Sequence, residues 1–124
     1  VLHGADSLDL LQAAEGITRL AEKARSGSLE PADVSGSTFT ISSVGGNAIL
    51  FSAGVINAPE VALLNLHRIE QRPVVAGGEV AVRSMIYVTL TFDHRVLDGG
   101  HATSFMRDLK TRVESVGEWA RLPG

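Results

Sequence analysis

The stretch FDHRVLDGG, residues 92–100, sets an imidazole between an acid and a guanidinium, and a second acid and two glycines follow. An imidazole accepts and returns protons near neutral pH, because its unperturbed pKa is about 6.5. His94 is therefore a candidate general base, and a surface or structural histidine is the alternative interpretation.

The charged residues near His94 could each have more than one role. Asp98 could hold this part of the chain by pairing with an arginine, or it could orient a partner. Asp93 and Arg95 could form a local ion pair, and the two glycines that follow Asp98 would permit a tight connection. We call residues 93–98 the corner.

A second polar point is Ser42, in the stretch TFTISS. A serine at the end of a strand usually bonds to nearby backbone. A nucleophilic serine is not supported, because no Gly-x-Ser-x-Gly elbow surrounds it. A hydroxyl that donates to an oxyanion remains open.

No metal site is predicted. His94, Asp98 and His101 could be drawn as ligands, but a glycine-bearing turn gives them no fixed geometry. His3 and His67 stand alone in the sequence and are interpreted as structural or surface residues.

The composition excludes several classes of protein. Eleven Lys and Arg against 14 Asp and Glu give a net charge of −3, and without a basic stripe nucleic acid is not an expected partner. The absence of cysteine excludes disulfides, cysteine-based zinc sites and thiol nucleophiles. The apolar runs are too short to span a bilayer, so no membrane partner is expected. No signal peptide is visible, although a chain that begins with Val1 leaves targeting open.

Hydrophobic periodicity predicts two helices. The first covers residues 7–27, with Ser7 as the N-cap and Gly27 as the C-terminal stop. The second covers residues 100–115. The tail from about residue 116 is only loosely specified.

Strands are predicted at residues 38–43, 60–75 and 79–92, with a hairpin turn at Gly77-Gly78. Gly45 and Gly46 indicate a turn or bulge, and residues 48–51 could form a short extended piece. The last strand is nearly continuous in apolar residues from Met85 onward, so we expect it to be central and buried on both faces. The fold class is α/β, a two-layer sandwich of a mixed sheet covered by helices, and part of a larger domain.

Three stretches carry a resemblance to a known family: DHRVLDG at 93–99, TFTISS at 38–43 and INAPEVALLNLHRI at 56–69. Together with the first helix they resemble the C-terminal half of the catalytic domain of dihydrolipoyl acyltransferases. These are the E2 components of 2-oxo acid dehydrogenase complexes. The resemblance covers residues 1 to about 116.

The resemblance implies a fold like that of chloramphenicol acetyltransferase, and transfer of an acyl group between dihydrolipoyl-lysine and coenzyme A. It implies that His94 is the general base, that Asp98 holds the corner through an ion pair, and that Ser42 donates to the oxyanion. In the family this serine and this histidine meet across a subunit boundary. The substrates would be coenzyme A and a lipoyl group on a separate domain, without a metal.

The resemblance also implies assembly. Homotrimers would build a 24-mer or 60-mer core, and E1 and E3 components would attach through domains absent from this chain. The bacterial cytoplasm is the expected location, with the mitochondrial matrix as second choice.

Two departures from the family pattern bear on activity. Ile49 and Leu50 replace glycines in the loop after Ser42. Residues 1–124 are also expected to be only the C-terminal part of a single catalytic domain. Two alternatives therefore stay open: a free-standing acetyltransferase that acts on a small hydroxyl compound, and a non-catalytic scaffold fragment of the core.

Overall fold

The protein is described by a computed structural model that covers residues 1–43 and 49–119. It separates into two compact units, one formed by Val1–Thr38 with the chain from Asp108 onward, the other by Phe39–Arg107. The helices are α1 (Leu10–Ser26), α2 (Gly99–Glu114) and α3 (Val116–Trp119), and the strands are β1 (Thr40–Ser43), β2 (Ala62–Ala76) and β3 (Glu79–Phe92).

Helix α1 begins later than predicted, because Asp9 caps it. The Asp9 carboxylate accepts from the Gln12 backbone N–H at 2.8 Å, and the Gln12 side chain accepts from the Asp9 N–H at 3.0 Å. This reciprocal capping box satisfies two otherwise orphaned donors. The prediction of Ser7 as the N-cap is wrong, since its hydroxyl donates to the Gly4 carbonyl at 2.7 Å. The predicted stop at Gly27 is confirmed by its φ of 69°.

The three strands form one mixed sheet in the order β1-β2-β3. Strand β1 runs parallel to β2, and β3 runs antiparallel to β2. The predicted hairpin turn is confirmed: Gly77 and Gly78 have φ of 62° and 87°, and a two-residue type I′ turn requires positive φ at both positions. The predicted α/β class with a mixed sheet is confirmed as well.

The expectation that residues 79–92 form a central strand, buried on both faces, is wrong. Strand β2 is central in the described sheet, while β3 is an edge strand and half-buried or exposed along its length. Among the described residues, the buried apolar side chains are those of Ala62, Leu63 and Leu64, at the start of β2. A continuous apolar run shows that a strand is suited to burial, but not which neighbour covers it.

Beyond Leu66, β3 is the one partner of β2 among the described residues, and the two strands form a ribbon. Cross-strand partners share a face of a sheet, and one face of this ribbon carries exposed apolar side chains. We call this face the hairpin stripe; its members are Ile69, Val75, Val80, Val82 and Ile86.

A segment without regular structure, residues 49–57, lies against β2. A Cβ atom on Gly54 would be 2.5 Å from Leu63 Cδ2 and 2.9 Å from Asn65 Nδ2, so any larger residue would force one of these side chains to shift. The predicted turn at Gly45 and Gly46 lies outside the described residues, and residues 49–51 of the suggested extended piece are not in a strand.

Helix α2 matches its prediction to within one residue at each end. Its Phe105 packs against Phe39, with ring centroids 5.9 Å apart. The tail, loosely specified in the sequence, forms the short helix α3 as far as residue 119. Across the described ranges, the chain contains no helix of the length and apolarity that a bilayer crossing requires.

Candidate active site

The corner begins where β3 ends. The Asp93 N–H donates to the Val61 carbonyl at 2.8 Å, which carries the pairing one residue past Phe92. The Asp93 carbonyl then accepts from the N–H groups of Val96 and Leu97, each at 3.0 Å. His94 lies inside this turn with an exposed side chain, and its ring centroid is 5.3 Å from that of Phe92. The imidazole is thus held at the surface of the described chain.

Asp93 and Arg95 form the local pair considered in the sequence. Arg95 Nη2 lies 2.7 Å from Asp93 Oδ2, and Arg95 Nε lies 2.9 Å from Asp93 Oδ1. The side-chain hydrogen bonds from Arg95, with one from its backbone N–H, lower the pKa of Asp93 to about 2. Both carboxylate oxygens are occupied by Arg95, so Asp93 stabilises the turn rather than acting as an acid or base.

Asp98 caps helix α2. Its Oδ1 accepts from the His101 backbone N–H at 2.9 Å and lies 2.8 Å from His101 Nδ1. The backbone hydrogen bond, followed by the side-chain one, lowers the pKa of Asp98. The expected partner was an arginine, but among the described residues it is His101. The sequence could not show this, because the cap depends on where the helix begins.

Ser42 lies on β1, directly opposite Asn65 of β2. Its side chain is half-buried, and its hydroxyl has no hydrogen-bond partner among residues 1–43 and 49–119.

The described chain does not bring Ser42 and His94 together. Ser42 is level with Asn65 and Thr89, near the end of β1, whereas His94 follows the C-terminal end of the antiparallel strand β3. Ser42 is roughly 14 Å from Phe92, because the two residues are separated by three residues along the strands and by two strand spacings across the sheet. His94 lies two residues further along the chain.

A hydrogen-bonded pair that the sequence did not reveal lies on β2 and residues 49–57. His67 Nε2 accepts from the Ser52 N–H at 2.8 Å and from its hydroxyl at 3.1 Å. His67 Nδ1 therefore carries the proton and donates to the Tyr87 carbonyl at 3.0 Å. Thr89 completes the arrangement by donating to the Ser52 carbonyl at 3.0 Å.

His67 is thus a buried residue that fixes a loop, one of the two possibilities left open for it. His3 is exposed, and its Nε2 lies 3.2 Å from the Ala32 carbonyl. Within the described residues, no group of three or more potential ligands is arranged to hold a metal ion.

The fold places the chain among the catalytic cores of dihydrolipoamide acyltransferases. It superimposes on a probable dihydrolipoamide acetyltransferase from Listeria monocytogenes with a TM-score of 0.86 and 41% identity, covering 90% of this chain and 48% of that one. The cubic core of a pyruvate dehydrogenase multienzyme complex gives a TM-score of 0.76 and 39% identity, covering 86% of this chain and 44% of that one.

Residues 1–121 match the 2-oxoacid dehydrogenases acyltransferase (catalytic domain) family, and the chain belongs to this family. It is 42% identical over 114 residues to the mitochondrial dihydrolipoyllysine-residue succinyltransferase of the 2-oxoglutarate dehydrogenase complex of Saccharomyces cerevisiae. It is 40% identical over 115 residues to the corresponding succinyltransferase component of Rickettsia felis. The alignments cover 92% and 93% of this chain, but only 25% and 29% of those relatives.

A third structural neighbour is the dihydrolipoamide acetyltransferase of Azotobacter vinelandii, with a TM-score of 0.81 and 38% identity over 90% of this chain and 46% of that one. A serine, a histidine and an asparagine were investigated for their role in its catalytic mechanism. The serine precedes the histidine by 52 positions, and the asparagine follows the histidine by four. Ser42, His94 and Asp98 have the same spacing.

Proposed function

We propose that residues 1–124 are the C-terminal part of an acyltransferase catalytic domain that moves an acyl group between dihydrolipoyl-lysine and coenzyme A. The observation that carries this proposal is the spacing of Ser42, His94 and Asp98. It equals that of the serine, histidine and asparagine of the Azotobacter protein, in a chain of the same fold.

His94 acts as the general base. A thiol with a pKa near 8.5 is mostly protonated at neutral pH, so the imidazole takes its proton as the sulfur attacks the thioester carbonyl. The Ser42 hydroxyl donates to the oxyanion that forms. Collapse of this intermediate breaks the bond from the carbonyl carbon to the other sulfur, and the leaving thiolate takes the proton from His94. The chain needs no covalent nucleophile, which suits a protein without cysteine.

The active site is shared between two copies of the chain. Two strand spacings across the sheet and three residues along it separate Ser42 from the end of β3 that precedes His94, whereas a reacting carbonyl and thiol require both groups within hydrogen-bond reach. A second copy that brings its His94 to the Ser42 of the first satisfies this requirement. A homotrimer, built into a larger core like the cubic core named above, is the proposed assembly.

The hairpin stripe supports assembly. Val75 and Val80, which are paired across the ribbon, are 75% and 77% exposed in the single chain. Exposed apolar side chains on one face of a ribbon, here interrupted by the polar pair Gln71 and Ser84, are typical of a surface that another protein surface covers.

The proposed acyl group is succinyl, because both curated relatives described above are succinyltransferases of 2-oxoglutarate dehydrogenase complexes. E1 and E3 components are the proposed further partners. The proposed location is the bacterial cytoplasm; the relatives include both a bacterial and a mitochondrial protein.

The test is an assay of the purified protein with succinyl-CoA or acetyl-CoA as donor, and dihydrolipoamide or a small alcohol as acceptor. Transfer to dihydrolipoamide, faster from succinyl-CoA, is the expected result. His94→Ala should lower the rate by about 10²–10⁴-fold while sedimentation stays unchanged. Undiminished transfer in His94→Ala would refute the proposal. Transfer to the alcohol alone would favour a free-standing acetyltransferase, and a well-ordered particle without any transfer would favour a scaffold.

A further inference from the structure

The ribbon contains a bulge beside the His67–Ser52 pair. Leu66 pairs with Val88 and Ile69 with Ile86, so that His67 and Arg68 together lie opposite Tyr87. A bulge of this kind redirects side chains. Here it brings Arg68, Glu70 and Arg72 to one cavity with Tyr87. The cavity has a volume of about 90 Å³ and is lined by Leu50, Arg68, Glu70, Arg72, Met85, Ile86 and Tyr87.

The cavity carries more positive than negative charge. Glu70 is the one carboxylate in its lining, and it pairs with both guanidinium groups: Arg68 Nη2 lies 2.7 Å from Glu70 Oε2, and Arg72 Nε bonds to Glu70 Oε1. Arg83, which does not line the cavity, lies directly across the ribbon from Arg72. Like charges opposite each other on a ribbon destabilise it, and a bound anion would offset this cost.

Several hydrogen-bond donors of the cavity remain available. Each guanidinium has five N–H donors, and Glu70 occupies only a part of them. Arg68 Nε is buried and has no hydrogen-bond partner among the described residues. Arg72 Nη1 donates to the Tyr87 hydroxyl oxygen at 2.9 Å, and its guanidinium carbon lies 5.0 Å from the centroid of the Tyr87 ring. The Tyr87 hydroxyl therefore retains its own proton for donation.

We propose that Arg68, Arg72 and Tyr87 form a binding site for a small oxyanion, a carboxylate or a phosphate group. The volume suits such a group, since one water molecule occupies about 30 Å³ of the liquid. Leu50 and Met85 supply apolar walls, which strengthen the interaction between the guanidinium groups and the anion. The site is defined by its own contacts and does not depend on the proposed acyl transfer.

Glu70 has a specific part in this proposal, because it competes with the ligand for the same guanidinium groups. Its removal should strengthen anion binding. If Arg68, Glu70 and Arg72 formed only a structural ion-pair ladder, Glu70→Gln would destabilise the ribbon and would not increase the affinity for an anion. Whether Glu70→Gln strengthens anion binding or leaves it absent therefore distinguishes a binding site from a structural ion-pair ladder.

The experiment follows the arginine Nε–Hε signals by NMR while inorganic phosphate or succinate is added at constant ionic strength. Saturable shifts of the Arg68 and Arg72 signals are expected. Arg72→Leu should weaken binding at least about tenfold, and Glu70→Gln should strengthen it about fivefold. Tyr87→Phe, which removes only the hydroxyl, should weaken binding and keeps the test open if Arg72→Leu does not fold. Arg25→Leu, on the exposed surface of α1, is the matched control and should bind as the wild type does.

Saturation by phosphate alone would assign a phosphate ligand, and saturation by succinate alone a carboxylate. Shifts that grow linearly with either salt, or a Glu70→Gln variant that binds no more tightly, would overturn the proposal.

Discussion

Ser42 and His94 are separated across the same three-stranded sheet: Ser42 lies on the edge strand β1, level with Thr89, and His94 follows Phe92 at the end of β3 on the other edge of the described sheet. This relationship follows from the strand order, because β2 lies between β1 and β3. The proposed reaction therefore uses the serine of one copy and the histidine of another.

Mixed assemblies test this directly. Ser42→Ala should lower the transfer rate by about 10²–10³-fold. His94→Ala should lower it by about 10²–10⁴-fold. When the two inactive variants are unfolded and refolded together, some interfaces combine an intact Ser42 with an intact His94, and activity should return to a measurable fraction of the wild-type rate. The double variant, refolded with wild-type chains, is the control for non-specific rescue. A mixture no more active than its components would show that sites are not shared.

The transfer rate should tolerate loss of the Asp98 charge but not loss of the side-chain oxygen that caps α2. It caps α2 by accepting from the His101 N–H, and asparagine is an equally good N-cap. Asp98→Asn should stay within about threefold of the wild-type rate. Asp98→Ala should lose about 10-fold to 10²-fold, because a displaced corner misplaces His94. An equal loss of transfer rate in Asp98→Asn and Asp98→Ala would mean that the charge itself is required.

Asp93 should make the corner sensitive to acid. Its pKa is lowered from 3.8 to about 2, chiefly by the side chain of Arg95. Its contribution to folding is therefore present above the ordinary pKa of an aspartate, and is lost as the pH falls from about 4 to about 2. The chemical shift of the Asp93 carboxyl carbon, followed by NMR during an acid titration, measures this. In Arg95→Met the midpoint should return toward about 3.9. An unchanged midpoint would mean that Arg95 is not the cause.

His67 should be replaceable by glutamine but not by leucine. The Gln side chain retains an acceptor for Ser52, whereas His67→Leu leaves the Ser52 N–H without a partner. That loss should lower the free energy of unfolding by about 1–3 kcal/mol. Urea denaturation measures the effect, and hydrogen exchange of the Ser52 amide localises it. Equal destabilisation by both substitutions would exclude a role for the acceptor.

Local signals in the sequence predicted most of the fold. Helical periodicity and Gly27 defined α1, and the Gly77-Gly78 pair defined the hairpin, because each depends on neighbouring residues only. The position of Ser7 misled the N-cap prediction, since several polar residues precede the helix and only the Asp9–Gln12 exchange selects one of them. The placement of β3 at an edge depends on strand pairing, which composition does not encode.

The sequence predicted the candidate residues of the site but not their contacts. His94, Asp98 and Ser42 were found from residue type, spacing and family resemblance. The His101 partner of Asp98, the His67–Ser52 pair and the cavity beside the bulge arise from register and loop packing. A lone histidine such as His67 carries no signal of the serine 15 positions earlier that it binds.

Gly54 should be required for the packing of residues 49–57 on β2. An alanine Cβ would lie 2.5 Å from Leu63 Cδ2 and 2.9 Å from Asn65 Nδ2, and Leu63 and Asn65 are both buried. Because these neighbours cannot move into solvent, Gly54→Ala should cost about 1–3 kcal/mol of folding free energy. It should also lower the activity, since this segment follows the strand that carries Ser42. Gly117→Ala is the matched control: its Cβ would meet no atom within 4 Å, and both stability and activity should stay near the wild-type values. Urea denaturation of the two variants gives the comparison, and a Gly54→Ala protein as stable as Gly117→Ala would show that the segment does not need this contact.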